Sequence, residues 1–149
     1  MKFYIIAHNI RSLYNIGTMF RTADALGADR LFLTGYSGIP PRKEISKVAL
    51  GAEESVPWQY YKSLSYLIKK LKKEGVEIIA IEQDEESVDY KKVKVKKDTA
   101  FILGNEVRGI SKQLLEQCDQ IAEIPMKGKK ESLNVSVTAG IVLFRILEI

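Results

Sequence analysis

The stretch Thr99-Ala100-Phe101-Ile102-Leu103-Gly104-Asn105-Glu106-Val107-Arg108-Gly109 decides the fold class of this chain. Residues 100–103 are a continuous apolar run, without the polar residues that alternate along a strand with one wet face. Such a run, directly followed by a glycine-rich polar loop, is typical of a parallel strand that is buried on both faces. The stretch therefore predicts the centre of a parallel sheet, with a candidate functional loop at its carboxyl end.

Similar apolar runs recur along the chain, and segments with helical periodicity lie between most of them. Further strands are predicted at 3–7, 30–34, 56–61, 76–81 and 120–124, and helices at 15–26, 44–50, 64–75, 111–118 and 134–147. The remaining stretch, 84–98, is predicted to be a charged connection. Strands that alternate with helices indicate an α/β fold. We expect a single domain over residues 1–149, built on a parallel sheet with helices on both faces.

Composition narrows the class of protein further. Hydrophobic residues make up 46% of the 149 residues and charged residues 28%, which excludes intrinsic disorder. No apolar run approaches the roughly 18 residues of a membrane-spanning helix. The net charge of +4 favours polyanionic partners only mildly. The single cysteine excludes an intrachain disulfide, and we expect a cytoplasmic location.

Two polar motifs lie near the starts of predicted helices, where loops after parallel strands carry chemistry. The first is Asn15-Ile16-Gly17-Thr18-Met19-Phe20-Arg21, in which Asn15 is a candidate helix N-cap and Gly17 permits a close backbone approach. The second runs from Gly104 to Gly109, a tight loop whose acid, Glu106, is suited to accept hydrogen bonds from a ribose or an amine. It lacks the Lys-Ser/Thr pair of a phosphate-binding loop, so a nucleoside triphosphate site is unsupported.

The third motif precedes the last helix. It consists of Ile124-Pro125-Met126 and, after a lysine-rich loop, Ser132-Leu133-Asn134-Val135-Ser136. Ser132 and Asn134 are candidate caps, and the free N–H groups of a helix start favour an anion or a polarised oxygen. Each motif alone also fits an ordinary structural role, as a capped helix or a strand-to-helix loop.

The remaining reactive residues give weaker signals. His8 is the only histidine and Cys118 the only cysteine, too few for a zinc site, and we predict no metal site. We expect a structural or substrate-positioning role for His8 and a buried, unreactive thiol for Cys118. A nucleophilic pair of the two stays open at this point.

Together, in this order and spacing, the three motifs closely resemble the signature motifs of the SpoU (TrmH) family. These are RNA ribose 2′-O-methyltransferases of the SPOUT superfamily. The resemblance extends from about Asn9 to Ile146 and implies a C-terminal deep trefoil knot, S-adenosylmethionine as cofactor, a homodimer and an RNA substrate, either tRNA or rRNA. We do not expect the added RNA-binding domain that many relatives carry, which leaves the identity of the RNA open.

The resemblance also implies residue roles. Arg21 would be the principal catalytic residue, delivered in its own protomer or across the dimer interface, with assistance from Asn15, Glu106, Ser132 and Asn134. Because a guanidinium stays protonated in proteins, we expect Arg21 to act electrostatically. The cofactor-binding residues would be Leu103, Gly104, Asn105, Gly109, Ile124, Met126, Ser132 and Leu133. The expected RNA-binding residues are Arg11, Arg21, Arg42 and Lys129.

Two alternative functions belong to other classes. The chain could be a non-catalytic RNA-binding or assembly module that keeps the fold, in which case it would bind the cofactor without turnover. It could also be another α/β enzyme that binds a nucleotide or dinucleotide, in which case it would bind ATP or NAD and not S-adenosylmethionine.

Overall fold

A single parallel sheet organises the computed structural model, which describes all 149 residues. Its seven strands are β1 (Phe3–His8), β2 (Arg30–Thr34), β3 (Trp58–Tyr61), β4 (Glu77–Ile81), β5 (Val88–Asp89), β6 (Thr99–Leu103) and β7 (Gln120–Glu123). Their order across the sheet is β3-β2-β1-β6-β4-β7-β5, and every pairing is parallel. The predicted parallel sheet is thereby confirmed.

Helices cover both faces of the sheet. They are α1 (Leu13–Leu26), α2 (Lys43–Ala49), α3 (Ala52–Ser55), α4 (Leu64–Lys73), α5 (Lys112–Leu115) and α6 (Val135–Leu147). One core cluster joins α1, α2, α3 and α6 to one face of the strands, and a second cluster joins α4 and α5 to the other face. Neighbouring residues of β6 enter different clusters, because successive side chains of a strand point to opposite faces. No helix is long and apolar enough to cross a membrane.

Strand β6 lies at the centre, as its apolar sequence predicts, and all five of its residues are buried. Leu103 at its carboxyl end is in register with Ala7 of β1 and with Ile81 of β4. The carboxyl ends of these three strands therefore meet at one edge. The loops that follow them are brought together by register alone, although the strands are far apart in the chain.

The structure corrects three local predictions. Helix α1 is capped by Ser12, whose hydroxyl accepts the N–H of Asn15 at 3.1 Å, so Asn15 lies in the first turn and is not the N-cap. The predicted helix 111–118 ends at Leu115, because Asp119 is held to β4 by two bonds of 2.8 Å with the Ile78 backbone. The predicted connection 84–98 contains β5 and one 3-10 turn.

Gly17 sets the distance between α1 and α2. A Cβ atom at this position would lie 2.8 Å from the Ile45 carbonyl oxygen and 2.9 Å from Cβ of Val48. The sequence-based expectation of a close backbone approach at Gly17 is therefore confirmed. The same contact holds α2 against the first turns of α1.

We expect Gly17→Ala to lower the free energy of unfolding by about 1–3 kcal/mol, because the added methyl overpacks the contact between α1 and α2. Urea denaturation followed by circular dichroism measures this change. Gly128→Ala is the matched control, since no atom lies within 4 Å of the added methyl there. Equal stability of the two variants would contradict this interpretation.

Candidate active site

A cavity of about 260 Å³ opens at the carboxyl ends of β4, β6 and β7. Its walls come from the residues that end these strands, from the loop after β6 and from the segment that leads into α6. All eight residues that the sequence predicts as cofactor-binding line this cavity: Leu103, Gly104, Asn105, Gly109, Ile124, Met126, Ser132 and Leu133. The structure therefore brings the second and third motifs into one site.

All of the charged residues that line the cavity are acidic. Four glutamates are among the 17 lining residues, namely Glu82, Glu106, Glu123 and Glu131, and no lysine, arginine or histidine is present. Carboxylates without a basic partner favour a cationic ligand and repel phosphate. The lining also includes Ile124, Met126 and Leu133, which give it apolar surface.

Two glycines allow the loop after β6 to fold tightly against itself. A Cβ atom on Gly104 would lie 2.7 Å from the Gly109 carbonyl carbon, and Gly109 itself adopts a left-handed φ of 64°. The Asn105 side chain closes this loop by accepting the N–H groups of Val107 and Arg108 at 2.9 and 2.8 Å. The loop therefore presents a fixed backbone to the cavity.

Glu106 joins this loop to the start of α1. Its carboxylate accepts the N–H groups of Arg11 at 3.2 Å and Ser12 at 3.1 Å, and the side-chain amide of Asn15 at 3.2 Å. Burial raises the pKa of Glu106, but the hydrogen bonds from its own backbone, Ser12, Asn15 and Arg11 outweigh burial and lower the pKa overall. Glu106 is therefore a charged positioning group, and it is poorly suited to act as a general base.

Asn15 continues the connection to the third motif. It is buried, and its Oδ1 atom lies 3.4 Å from both Nδ2 of Asn134 and Oγ of Ser136. Asn134 caps α6 by accepting the Ser136 N–H at 2.9 Å, as expected, whereas Ser132 lies on the cavity wall and does not cap the helix. One buried amide thus links all three motifs.

The structure does not bring Arg21 into the cavity. Arg21 is exposed on α1 and lines a separate groove with Asp24, Leu50 and Ser55. Its place, six residues beyond Asn15, is about 9 Å further along the helix axis. Within this chain, Arg21 is therefore separate from the other expected catalytic residues.

None of the expected RNA-binding residues lines the cavity, and each of them is exposed. Arg11 is exposed beside Glu106, and Lys129 is exposed on the loop between β7 and α6. Arg42 is exposed at the N-cap position of α2, where its guanidinium lies 3.7 Å from Glu44. These positions leave the side chains accessible to a large anionic ligand.

Sequence reasoning missed several cavity residues. Glu82 and Gln83 follow β4, and Glu123 ends β7. The Glu82 carboxylate accepts the Ile110 N–H at 3.0 Å, which holds the loop after β6 in place. The rule that identified the other loops, a polar residue directly after a buried strand, also applies to Glu82 and would have found it.

The lone histidine and cysteine lie outside the cavity. His8 is buried with Nδ1 2.9 Å from Oγ1 of Thr34, and burial lowers its pKa, which favours the neutral ring. Burial and then the charge of Asp119 raise the pKa of Cys118 to about 11. The thiol is therefore protonated at neutral pH, which argues against a nucleophilic role.

Most of the chain is similar in sequence to a known protein family. The family model described as SpoU rRNA Methylase matches residues 2–144. The chain is 36% identical over 139 residues to the 23S rRNA (guanosine-2'-O-)-methyltransferase RlmB of Neisseria meningitidis, covering 93% of this chain and 55% of that protein. It is 32% identical over 144 residues to the tRNA (guanosine(18)-2'-O)-methyltransferase of Aquifex aeolicus, covering 94% and 66% respectively. The chain thus spans less than two thirds of either relative.

Two solved structures share the fold over 99% of this chain. The AdoMet-bound rRNA methyltransferase from Sinorhizobium meliloti matches with a TM-score of 0.93 and 29% identity, and the match covers 56% of that chain. The A. aeolicus TrmH/SpoU tRNA modifying enzyme matches with a TM-score of 0.89 and 29% identity, and the match covers 74% of that chain.

We expect Glu106→Gln to lower the free energy of unfolding at pH 7 by about 1–2 kcal/mol, because the amide replaces a charged acceptor of three hydrogen bonds. The folded-state pKa of Glu106 lies below its ordinary value of 4.5, so its stabilisation is present above that value and is lost as the pH falls through the folded-state pKa. The difference between the variant and the unaltered protein should therefore shrink in acid.

Urea titrations at several pH values measure this difference. Glu131→Gln is the control, since the Glu131 carboxylate lines the same cavity but accepts no hydrogen bond. A stability loss for Glu106→Gln that stays constant from neutral to acid pH would show that the charge of Glu106 is not responsible.

Proposed function

The chain belongs to the SpoU rRNA methylase family, and we propose that it transfers a methyl group from S-adenosylmethionine to a ribose 2′-hydroxyl of tRNA or rRNA. The observation that carries this proposal is the cavity in which the second and third motifs meet, because all four charged residues that line it are glutamates. It argues against the alternative of a nucleotide or dinucleotide enzyme, because phosphates would face carboxylates there. The named relatives make guanosine the first nucleoside to examine.

The residues of the cavity fit the cofactor. S-adenosylmethionine carries a sulfonium, an ammonium and a carboxylate group, and its net positive charge suits a cavity that is lined by four glutamates. Apolar Ile124, Met126 and Leu133 suit a purine ring, while the loop from Gly104 to Gly109 offers backbone groups for polar contacts. When bound, the cofactor supplies a methyl group that its positively charged sulfur activates towards attack by oxygen.

Arg21 would stabilise the negative charge that develops on the ribose oxygen as its proton leaves. A fixed cation is effective there because it needs no reorganisation during the reaction. A phosphate of the RNA beside the guanidinium would offset repulsion between Arg21 and the sulfonium. Glu106, Asn15 and Asn134 would hold the cofactor loop and the starts of α1 and α6 in place, and Ser132 would contact the ligands from the cavity wall.

A second copy of the chain would complete the site. Helices α1 and α6 pack against each other, and their outer sides expose the apolar residues Tyr14, Val137 and Ile141. Exposed apolar groups on adjoining helices favour a protein partner. A homodimer through this face would cover them and would place Arg21 of one protomer near the cavity of the other.

The segments after β4 and β7 lie against each other, since the Gln83 side chain donates to the Glu131 carbonyl oxygen. This contact is compatible with a C-terminal trefoil knot, which we propose from the family. Arg11, Arg42 and Lys129 would bind RNA phosphates. We propose a cytoplasmic location, where RNA and cofactor meet.

The direct test is methyl transfer from labelled S-adenosylmethionine to total bacterial RNA, with digested nucleosides identified by mass spectrometry. We expect a 2′-O-methylated nucleoside, and loss of at least about a hundredfold in rate for Arg21→Ala because one fixed charge at the reacting oxygen disappears. Calorimetry should show that this variant still binds the cofactor. Cofactor binding without transfer by the unaltered protein would favour the non-catalytic RNA-binding module.

Mixing two inactive variants tests whether Arg21 acts across the dimer. In Gly104→Val the added side chain would clash with Gly109 and disrupt the loop that binds the cofactor, whereas Arg21→Ala leaves the cavity intact. If Arg21 acts on its partner's cavity, co-expression restores about a quarter of the active sites, because half of the dimers are mixed and each holds one complete site. Absence of restored activity in mixed dimers would place Arg21 in the site of its own protomer.

A further inference from the structure

The loop after β2 displays an exposed tyrosine on a rigid backbone. Tyr36 is 57% exposed, although its N–H donates to Oδ1 of Asn9 at 3.0 Å. The neighbouring Gly35 is held on both sides, since its N–H donates to the Tyr61 carbonyl oxygen at 3.3 Å and its own carbonyl accepts the Tyr60 hydroxyl. The position of the Tyr36 backbone is therefore fixed before any ligand arrives.

The ring of Tyr36 is also fixed at its far end. Its hydroxyl oxygen accepts the side-chain amide of Asn105 at 2.8 Å, and the same amide donates to the Asn9 carbonyl oxygen at 2.9 Å. Asn105 is buried, lines the cavity and shapes the loop that follows β6. The exposed ring is thus tied to a cavity wall, although Tyr36 itself does not line the cavity.

A ring held in this way can bind a planar group with little loss of conformational entropy. An ordinary surface tyrosine loses rotamer freedom on binding, and that loss opposes association. Here the backbone and the hydroxyl are already anchored, so little freedom remains to be lost. The accessible part of the ring can stack on another planar group, and in RNA the available planar groups are unpaired bases.

We infer that Tyr36 is a substrate-binding residue that stacks on an unpaired RNA base beside the methylated ribose. The inference rests on the proposed function and adds a substrate class to it: the target lies in a loop or another single-stranded region. A base in an intact duplex has both faces stacked and cannot reach the ring. Contact with Asn105 places the stacked base next to the loop that holds the cofactor.

Two variants distinguish the contribution of the Tyr36 ring from that of its hydroxyl group. Tyr36→Phe and Tyr36→Ala both lose the hydrogen bond to Asn105, and only Tyr36→Ala loses the ring. Any disturbance of the cofactor loop is therefore common to both variants. The difference between them measures stacking, provided that thermal denaturation shows both to be folded.

The experiment measures binding of a fluorescein-labelled single-stranded oligoadenylate by anisotropy, together with the KM for bulk tRNA and rRNA in methyl transfer. Relative to Tyr36→Phe, we expect Tyr36→Ala to weaken oligoadenylate binding and to raise KM by about tenfold or more. Annealing the oligoadenylate to oligouridylate should abolish the difference. Equal values for the two variants, or no binding by the unaltered protein, would overturn the inference.

Light scattering excludes one further explanation. If the Tyr36 ring packs in the dimer interface, Tyr36→Ala should lower the dimer fraction relative to Tyr36→Phe, and that result would also overturn the inference. Oligoadenylate binding that depends on the ring, in a protein that transfers no methyl group, would instead support Tyr36 as an RNA contact and contradict the proposed reaction.

Discussion

The hydrogen bonds between the Glu106 carboxylate and the start of α1 are the interaction on which the site depends. The first N–H groups of any helix have no partner within the helix. Here the N–H of Ser12, the N-cap of α1, and the N–H of the preceding Arg11 both donate to Glu106 on the loop after β6. The Asn15 side chain, which donates to Glu106, also accepts hydrogen bonds from Asn134 and Ser136 at the start of α6. Three chain segments that are distant in sequence are held in one geometry by one carboxylate and one amide.

Charge is divided between the inside and the outside of this site. The cavity is lined by four glutamates and no basic side chain, whereas Arg11, Arg42 and Lys129 are exposed outside it. Such a division suits a cationic small ligand bound inside and a polyanion bound outside. The net charge of +4 does not reveal this separation of acidic and basic groups, because it sums charges that lie in different parts of the structure.

Local sequence patterns predicted the elements well where burial is complete. The strand at 99–103 and the strand at 30–34 match their predictions, since apolar runs between turn residues leave little choice of boundary. The predictions were wrong at two helix ends. Asp119 binds the Ile78 backbone, 41 residues away in the chain, and shortens α5, and this contact has no signal in the neighbouring residues. Ser12 caps α1 in place of Asn15 through a contact only three residues along the chain, and a serine directly before a helix is a local capping signal that the prediction overlooked.

The sequence by itself determined the parallel α/β class and the three motifs, because these follow from apolar periodicity and from a specific order of residues. The eight expected cofactor-binding residues, all of which line the cavity, followed from the resemblance of those motifs to a known family. Only the tertiary structure decided which groups meet. Strand register aligned the ends of β1, β6, β4 and β7 and so brought Glu82 and Glu123 to the cavity. The packing of α1 left Arg21 in a separate groove. The physical reason is that register and helix packing are long-range properties, fixed by contacts between residues that local sequence cannot relate.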